Sequence, residues 1–127
     1  MIINVNEAEG VVLDWLVARA EGMESRVEYA PLSCANLYYY TEQGEGYFDW
    51  IPTRDWTQAG PIIESHAISL NFDNDPGYLW AAWTPAPLRD EAEAFGYGNS
   101  MLIAAMRCYV ISKLGDQVEV PEELCQS

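Results

Sequence analysis

The sequence predicts an α+β fold in which a small antiparallel sheet packs against helices, with an N-terminal helix and a buried C-terminal helix. Three stretches carry that expectation. Residues 100–115 are an almost wholly apolar run at helical spacing. Residues 67–72 and 78–83 alternate with period two on either side of Asp73-Asn-Asp-Pro-Gly77, which is hairpin-turn chemistry. Residues 6–22 carry the start and stop signals of an amphipathic helix. The length suits a single domain over 1–127, and 50% hydrophobic residues is enough for its core without disulfides or metal.

In chain order, residues 1–5 are β-prone and suit a short first strand. Asn6-Glu-Ala-Glu9 has the form of a capping box with its acids at the positive end of the helix dipole, so a helix is expected over about residues 7–21. Val12, Trp15, Leu16 and Ala20 form its apolar face, Asp14, Arg19 and Glu21 lie off that face, and Gly22 ends it. From 23 to 50 the pattern loosens around Pro31, Gly44 and Gly46. Residues 37–40 read as a half-buried aromatic strand followed by a loop, and residues 47–50 add a second aromatic group. Thr53 is placed to cap a short helix through Trp56 and Gln58, and Gly60-Pro61 to break it into a bent, two-piece element, because proline is tolerated at a first helical position.

The hairpin follows, and residues 84–98, with Pro85, Pro87 and Asp90-Glu-Ala-Glu93, read as an exposed acidic connection to the last helix. In that helix Leu102, Ile103, Met106, Tyr109, Val110 and Leu114 cover one broad face, which Ala104, Ala105 and Cys108 extend. Asn99 or Ser100 can cap its start, Lys113 suits its negative end, and Gly115 supplies a positive-φ stop. Residues 116–124 give a short extended piece, a proline stop and an acidic tail.

Charge narrows the function classes. Twenty acidic against six basic residues give a net −14, which disfavours direct DNA or RNA binding and membrane-surface binding alike, since both need clustered Lys and Arg. Such acidity serves solubility or presents the protein to basic partners. No apolar run is long enough for a membrane span, and residues 1–6 lack the basic region and cleavage site of a secretory signal. Cys34, Cys108 and Cys125 are scattered, with no C-x-x-C pair and a single histidine, His66, so no metal site or disulfide framework is expected. His66 sits at an element boundary with no nucleophile at readable spacing, the 73–77 turn lacks the distal acid of a calcium loop, and there is no glycine-rich phosphate loop. No enzyme and no cofactor are expected.

Basic residues are few enough that each needs an account. Arg54 sits between Trp50 and Trp56, while Arg107 lies on an otherwise apolar helix, where an unpaired charge would be costly. One reading is a core ion pair. The other is a ligand pocket built from Tyr38, Tyr40, Trp50, Thr53, Arg54, Trp56, Gly60, Pro61, Trp80 and Arg107, with Trp83 nearby, that stacks a base and holds a phosphate or carboxylate.

Leu102-Ile-Ala-Ala-Met-Arg-Cys-Tyr-Val-Ile-Ser-Lys-Leu-Gly-Asp-Gln-Val-Glu-Val-Pro-Glu-Glu-Leu124 closely resembles the C-terminal signature of the NinX-like family of small phage proteins. Leu13-Asp-Trp-Leu-Val-Ala-Arg-Ala-Glu-Gly22 and Trp50-Ile-Pro-Thr-Arg-Asp-Trp-Thr-Gln-Ala-Gly-Pro-Ile-Ile-Glu64 agree with it in the same order, and the pattern is similar, more distantly, to the phage alpha-beta-alpha sandwich domain. The chain departs from the family pattern at Trp50, Ile51, Arg54 and Ser100-Met101. The resemblance implies a phage or prophage accessory protein acting in the bacterial host cytoplasm, and it implies no chemistry. Two functions follow as expectations. One is a non-enzymatic counter-defence protein, a homo-oligomer that sequesters a small nucleotide-like signal. The alternative is an acidic module that inhibits a host protein, including by nucleic-acid mimicry.

Overall fold

Leu-Trp-Ala-Ala-Trp-Thr, residues 79–84, is the central strand of one of two three-stranded sheets. The computed structural model of the chain describes residues 1–22, 25–29, 35–40, 47–73, 79–85 and 93–122, the strands within 25–49 by backbone alone. Strands β1 (Ile2–Asn4), β2 (Ser25–Tyr29), β3 (Ala35–Tyr40), β4 (Tyr47–Asp49), β5 (Ser69–Asp73), β6 (Leu79–Thr84), β7 (Ala94–Gly98) and β8 (Gln117–Glu119) accompany helices α1 (Gly10–Ala20), α2 (Trp56–Ser65) and α3 (Met101–Leu114). All strand pairing among the described residues is antiparallel. β1 pairs with β8, β2-β3-β4 form one meander beside α1, and β5-β6-β7 form another that lies on α3. The fold is α+β.

The last helix is the centre of the core, as its composition requires. Leu102, Ala104, Ala105, Met106, Cys108, Tyr109 and Val110 are buried over most of its circumference, because the β5-β6-β7 sheet, α1 and α2 all pack on it, and only the face of Ile103, Arg107, Ile111 and Leu114 is half-buried. Ser100 Oγ accepts from the Ile103 N–H at 3.1 Å, and Gly115 ends the helix at φ 92°. Leu13, Leu16 and Val17 of α1 complete the interior, each such buried side chain contributing ~1.5–3 kcal/mol.

Four local expectations are revised. Residues 94–98 are not part of an exposed connection but the third strand of the sheet, with Ala94, Gly96 and Gly98 turned inward. Gly96 is there for space: a Cβ would collide with the Ala104 carbonyl and the Cys108 amide, so the helix backbone lies directly on the strand. The first helix begins at Gly10, not near residue 7. Asn6 is diverted to accept from the Tyr97 N–H at 3.1 Å, Asn4 caps a tight turn over Val5–Glu7, and Glu9 makes no side-chain cap. Asp55, not Thr53, caps α2, accepting from the Thr57 N–H at 2.9 Å.

Nor is α2 two pieces: it runs through Pro61. The carbonyl that Pro61 cannot bond belongs to Thr57, and both residues are exposed, so water can take the acceptor. The aromatic runs at 37–40 and 47–50 fall on β3 and β4, with the less apolar β2 as an added partner. Residues 74–78, of the expected turn, and 123–127, of the expected tail, lie outside the described residues. Among the described residues no helix is long and apolar enough to cross a membrane.

Candidate functional site

A short polar clasp positions one wall of the site. Asp14, expected on the outer face of α1, is only 2% exposed, and its carboxylate Oδ1 accepts from the Thr53 N–H at 3.0 Å. The Trp50 indole Nε1 donates to the Asp14 backbone carbonyl at 3.0 Å, so the segment leading into α2 is pinned to α1 at two points. Burial pushes the Asp14 carboxyl up to about 6, against the downward pull of the Thr53 N–H and hydroxyl and of the Arg54 charge. Gln58 Oε1 accepts from the Ile51 N–H at 2.7 Å and closes the turn from the α2 side. With the turn held and Asp55 capping, Trp56 projects from the first turn of α2 and stays 51% exposed.

The opposite wall comes from the sheet. Trp80 on β6 lies directly across from Gly98 on β7, where no side chain competes for the inner face. Gly98 also lets α3 start close to the strand, since a Cβ there would stand 2.7 Å from Ile103 Cγ2. Phe72 on β5 braces the Trp80 ring at a centroid distance of 5.2 Å.

Between these walls lies a cleft of about 350 Å³, lined by Thr53, Trp56, Trp80, Asn99, Ser100, Met101 and Leu102. Its chemistry is two indoles, an amide, the Ser100 hydroxyl and the N-terminus of a helix whose first N–H groups have no intrahelical acceptor. None of the lining residues is charged. The arrangement suits a planar, aromatic ligand with polar edges, which indoles can stack and Asn99 and the helix start can hydrogen-bond.

Of the residues singled out from sequence, Thr53, Trp56 and Trp80 meet here. Trp50 is buried in the clasp. Arg54 is exposed beside Thr53, its backbone N–H donating to the Ile51 carbonyl at 2.9 Å, and it does not line the cleft. Gly60 and Pro61 lie further along α2, outside the lining. Tyr38 and Tyr40 are on β3, and their side chains lie outside the described residues.

Arg107 is committed elsewhere. Its Nε donates to the Ala8 carbonyl at 2.8 Å and its guanidinium to the Tyr97 carbonyl at 2.6 Å, tying the first turn of the chain to β7. Its partners are backbone carbonyls rather than a close core ion pair, and burial pulls its pKa down, with the charge of Glu9 acting in the opposite sense. From sequence, Asn99 and Ser100 are expected only as helix caps and Leu102 only as core, and Met101 carries no expected role; nothing local to them signals a cleft. The Asp14 clasp was missed because helical spacing places that residue off the apolar stripe.

Among the described residues two further reactive side chains, His66 and Cys108, have structural partners, and Cys34 and Cys125 lie outside the described residues. His66 caps α2, its Nδ1 3.0 Å from the Ile62 carbonyl and its ring edge-on to Tyr109 at 4.6 Å. The Cys108 thiol, pushed up to about 12 by burial, donates to the Ala94 carbonyl at 3.4 Å and is a neutral core group at neutral pH. Among the described residues no group of His, Cys, Asp and Glu gathers as a metal site.

The family model described as Bacteriophage P22, NinX matches this chain over residues 4–113, a span that contains the clasp, the cleft and nearly all of α3. No curated protein matches the chain.

Proposed function

We propose, from the premise that this chain belongs to the bacteriophage P22 NinX family and is a phage accessory protein, that it binds and sequesters a small nucleotide-like molecule in the cleft between α2, β6 and the start of α3. It acts without catalysis, as a counter-defence sponge in the cytoplasm of the host. The observation that supports this reading is the pair of indoles, Trp56 and Trp80, on the walls of one cleft that also offers Asn99, the Ser100 hydroxyl and a helix N-terminus. With no cation in the lining, the base end of such a molecule is the part the cleft would hold, and a phosphate would sit toward solvent.

The test is to expose the purified protein to extract from phage-infected bacteria, recover it, denature it by heat and identify what is released by mass spectrometry. A nucleotide-type metabolite released by the wild type and reduced about fivefold or more with Trp56→Ser supports the reading, since losing a stacking partner costs ~1–3 kcal/mol. Release of nothing beyond what a heat-treated control releases would sink it.

A further inference from the structure

The outer face of the β5-β6-β7 sheet carries a second surface, and it is independent of the cleft. Strand alternation places Trp80, Ala82, Gly96 and Gly98 on the side of α3, which puts Ala81 and Trp83 of β6 and Phe95 and Tyr97 of β7 on the opposite side. The register sets Trp83 directly across from Phe95 and Ala81 across from Tyr97, with Ser69 and Asn71 continuing the face on β5. Trp83 is 38% exposed, Phe95 50% and Tyr97 42%, so three rings stand together in solvent on adjacent strands. Rings so placed mark a contact surface, because their area is otherwise left against water. Beside them, Glu93 is held in place by the Trp83 indole, whose Nε1 donates to Oε1 at 2.8 Å.

We infer that this face docks a basic, arginine-bearing protein segment. Charge complementarity chooses the partner. The chain carries −14, and the carboxylate fixed at the edge of the rings adds a local acceptor. A guanidinium stacks on aromatic faces and pairs with a carboxylate in the same plane, which a rounder ammonium does less well. The same charge repels the phosphates of a single-stranded nucleic acid. A second copy would set −14 against −14 across the rings. At the β7 edge the Tyr97 N–H already donates to Asn6 Oδ1 and the Tyr97 carbonyl already accepts from Arg107, so an added strand would lack both groups there. The three rings direct the partner to the face.

The test titrates the full chain with a fluorescent octa-arginine peptide, with octa-lysine and an oligo-uridine as competitors, at low and at physiological salt. The combined Trp83→Ser, Phe95→Ser, Tyr97→Ser variant is expected to bind octa-arginine about tenfold more weakly, and Glu93→Gln about threefold more weakly. Glu64→Gln, which removes an equal charge from the exposed side of α2, is expected to bind as the wild type does. Should the triple variant melt at a lower temperature, Phe95→Ser alone replaces it, with an expected weakening of about threefold. Three results would overturn the inference: octa-lysine competing as well as octa-arginine with the ring variants unaffected, oligo-uridine displacing the peptide through the rings, or a wild-type dimer that the ring variants abolish.

Discussion

Two edge strands of one sheet differ: β5 keeps the usual arrangement, with Leu70 and Phe72 on the side of α3 and Ser69 and Asn71 on the outer face, whereas β7 inverts it. On β7 the inward residues are Ala94, Gly96 and Gly98, while Phe95 and Tyr97 point to solvent. The inversion follows from how near α3 lies. Its backbone occupies the volume that inward side chains would fill, so the core is supplied by the helix and the strand is reduced to small residues there. Large residues on such a strand have only the outer face left, where they cost little stability and are free to recognise a partner. One face is intolerant of a methyl group; the other is tolerant of losing a ring.

That contrast can be broken most directly at adjacent residues. Gly96→Ala forces a methyl group into the Ala104 carbonyl and the Cys108 amide, neither of which can move without moving the helix, and is expected to cost about 3 kcal/mol. Thermal unfolding reads this as a fall in melting temperature of roughly 10 °C. A change of less than a few degrees would mean that the helix and the strand are not in direct contact.

A somewhat smaller effect is expected on the far side of α3, where α1 carries a buried carboxyl in place of a dry contact. The folded-state value for Asp14 is about 6, above the ordinary 3.8, so the protonated form favours folding. Its contribution is fully present below the ordinary value and is lost as pH rises through about 6, a loss of ~2–3 kcal/mol. The denaturant midpoint of the wild type, measured from about pH 4 to 7, should fall relative to that of Asp14→Asn as pH rises across that window. Parallel curves would show that Asp14 does not titrate there.

The smallest effect belongs to the outer face: Phe95→Ser is expected to change stability by less than about 0.5 kcal/mol, although it is the neighbour of Gly96. A loss as large as that of Gly96→Ala would show the ring to be part of the core and would remove the basis for a docking surface.

Much of this fold was legible from local pattern. The apolar run at 101–114, its Ser100 cap and its Gly115 stop need only neighbours a few residues apart to be recognised, as does the alternation of β5 and β6. Strand β7 was not legible, because Phe-Gly-Tyr-Gly reads as a loop until a helix backbone is brought against the glycines. The start of α1 was misplaced for a similar reason: the Asn6 side chain serves Tyr97, 91 residues away, in place of its own helix. For the cleft, the tryptophans and Thr53 were recognisable as residue types, whereas Asn99 to Leu102 acquire a role only through the walls that face them.

By itself, then, the sequence determined the α+β class, the central helix with both its ends, the hairpin, the excess of negative charge and the family. These rest on short-range periodicity, on composition and on a long match. Tertiary structure alone decided that Arg107 bonds two carbonyls in place of a ligand, that Asp14 is buried under Thr53, and that two tryptophans share a cleft while a third stands in solvent on the other side of the same strand. The reason is physical. A side chain's role is set by the groups that surround it, and for these residues those groups arrive from dozens of residues away.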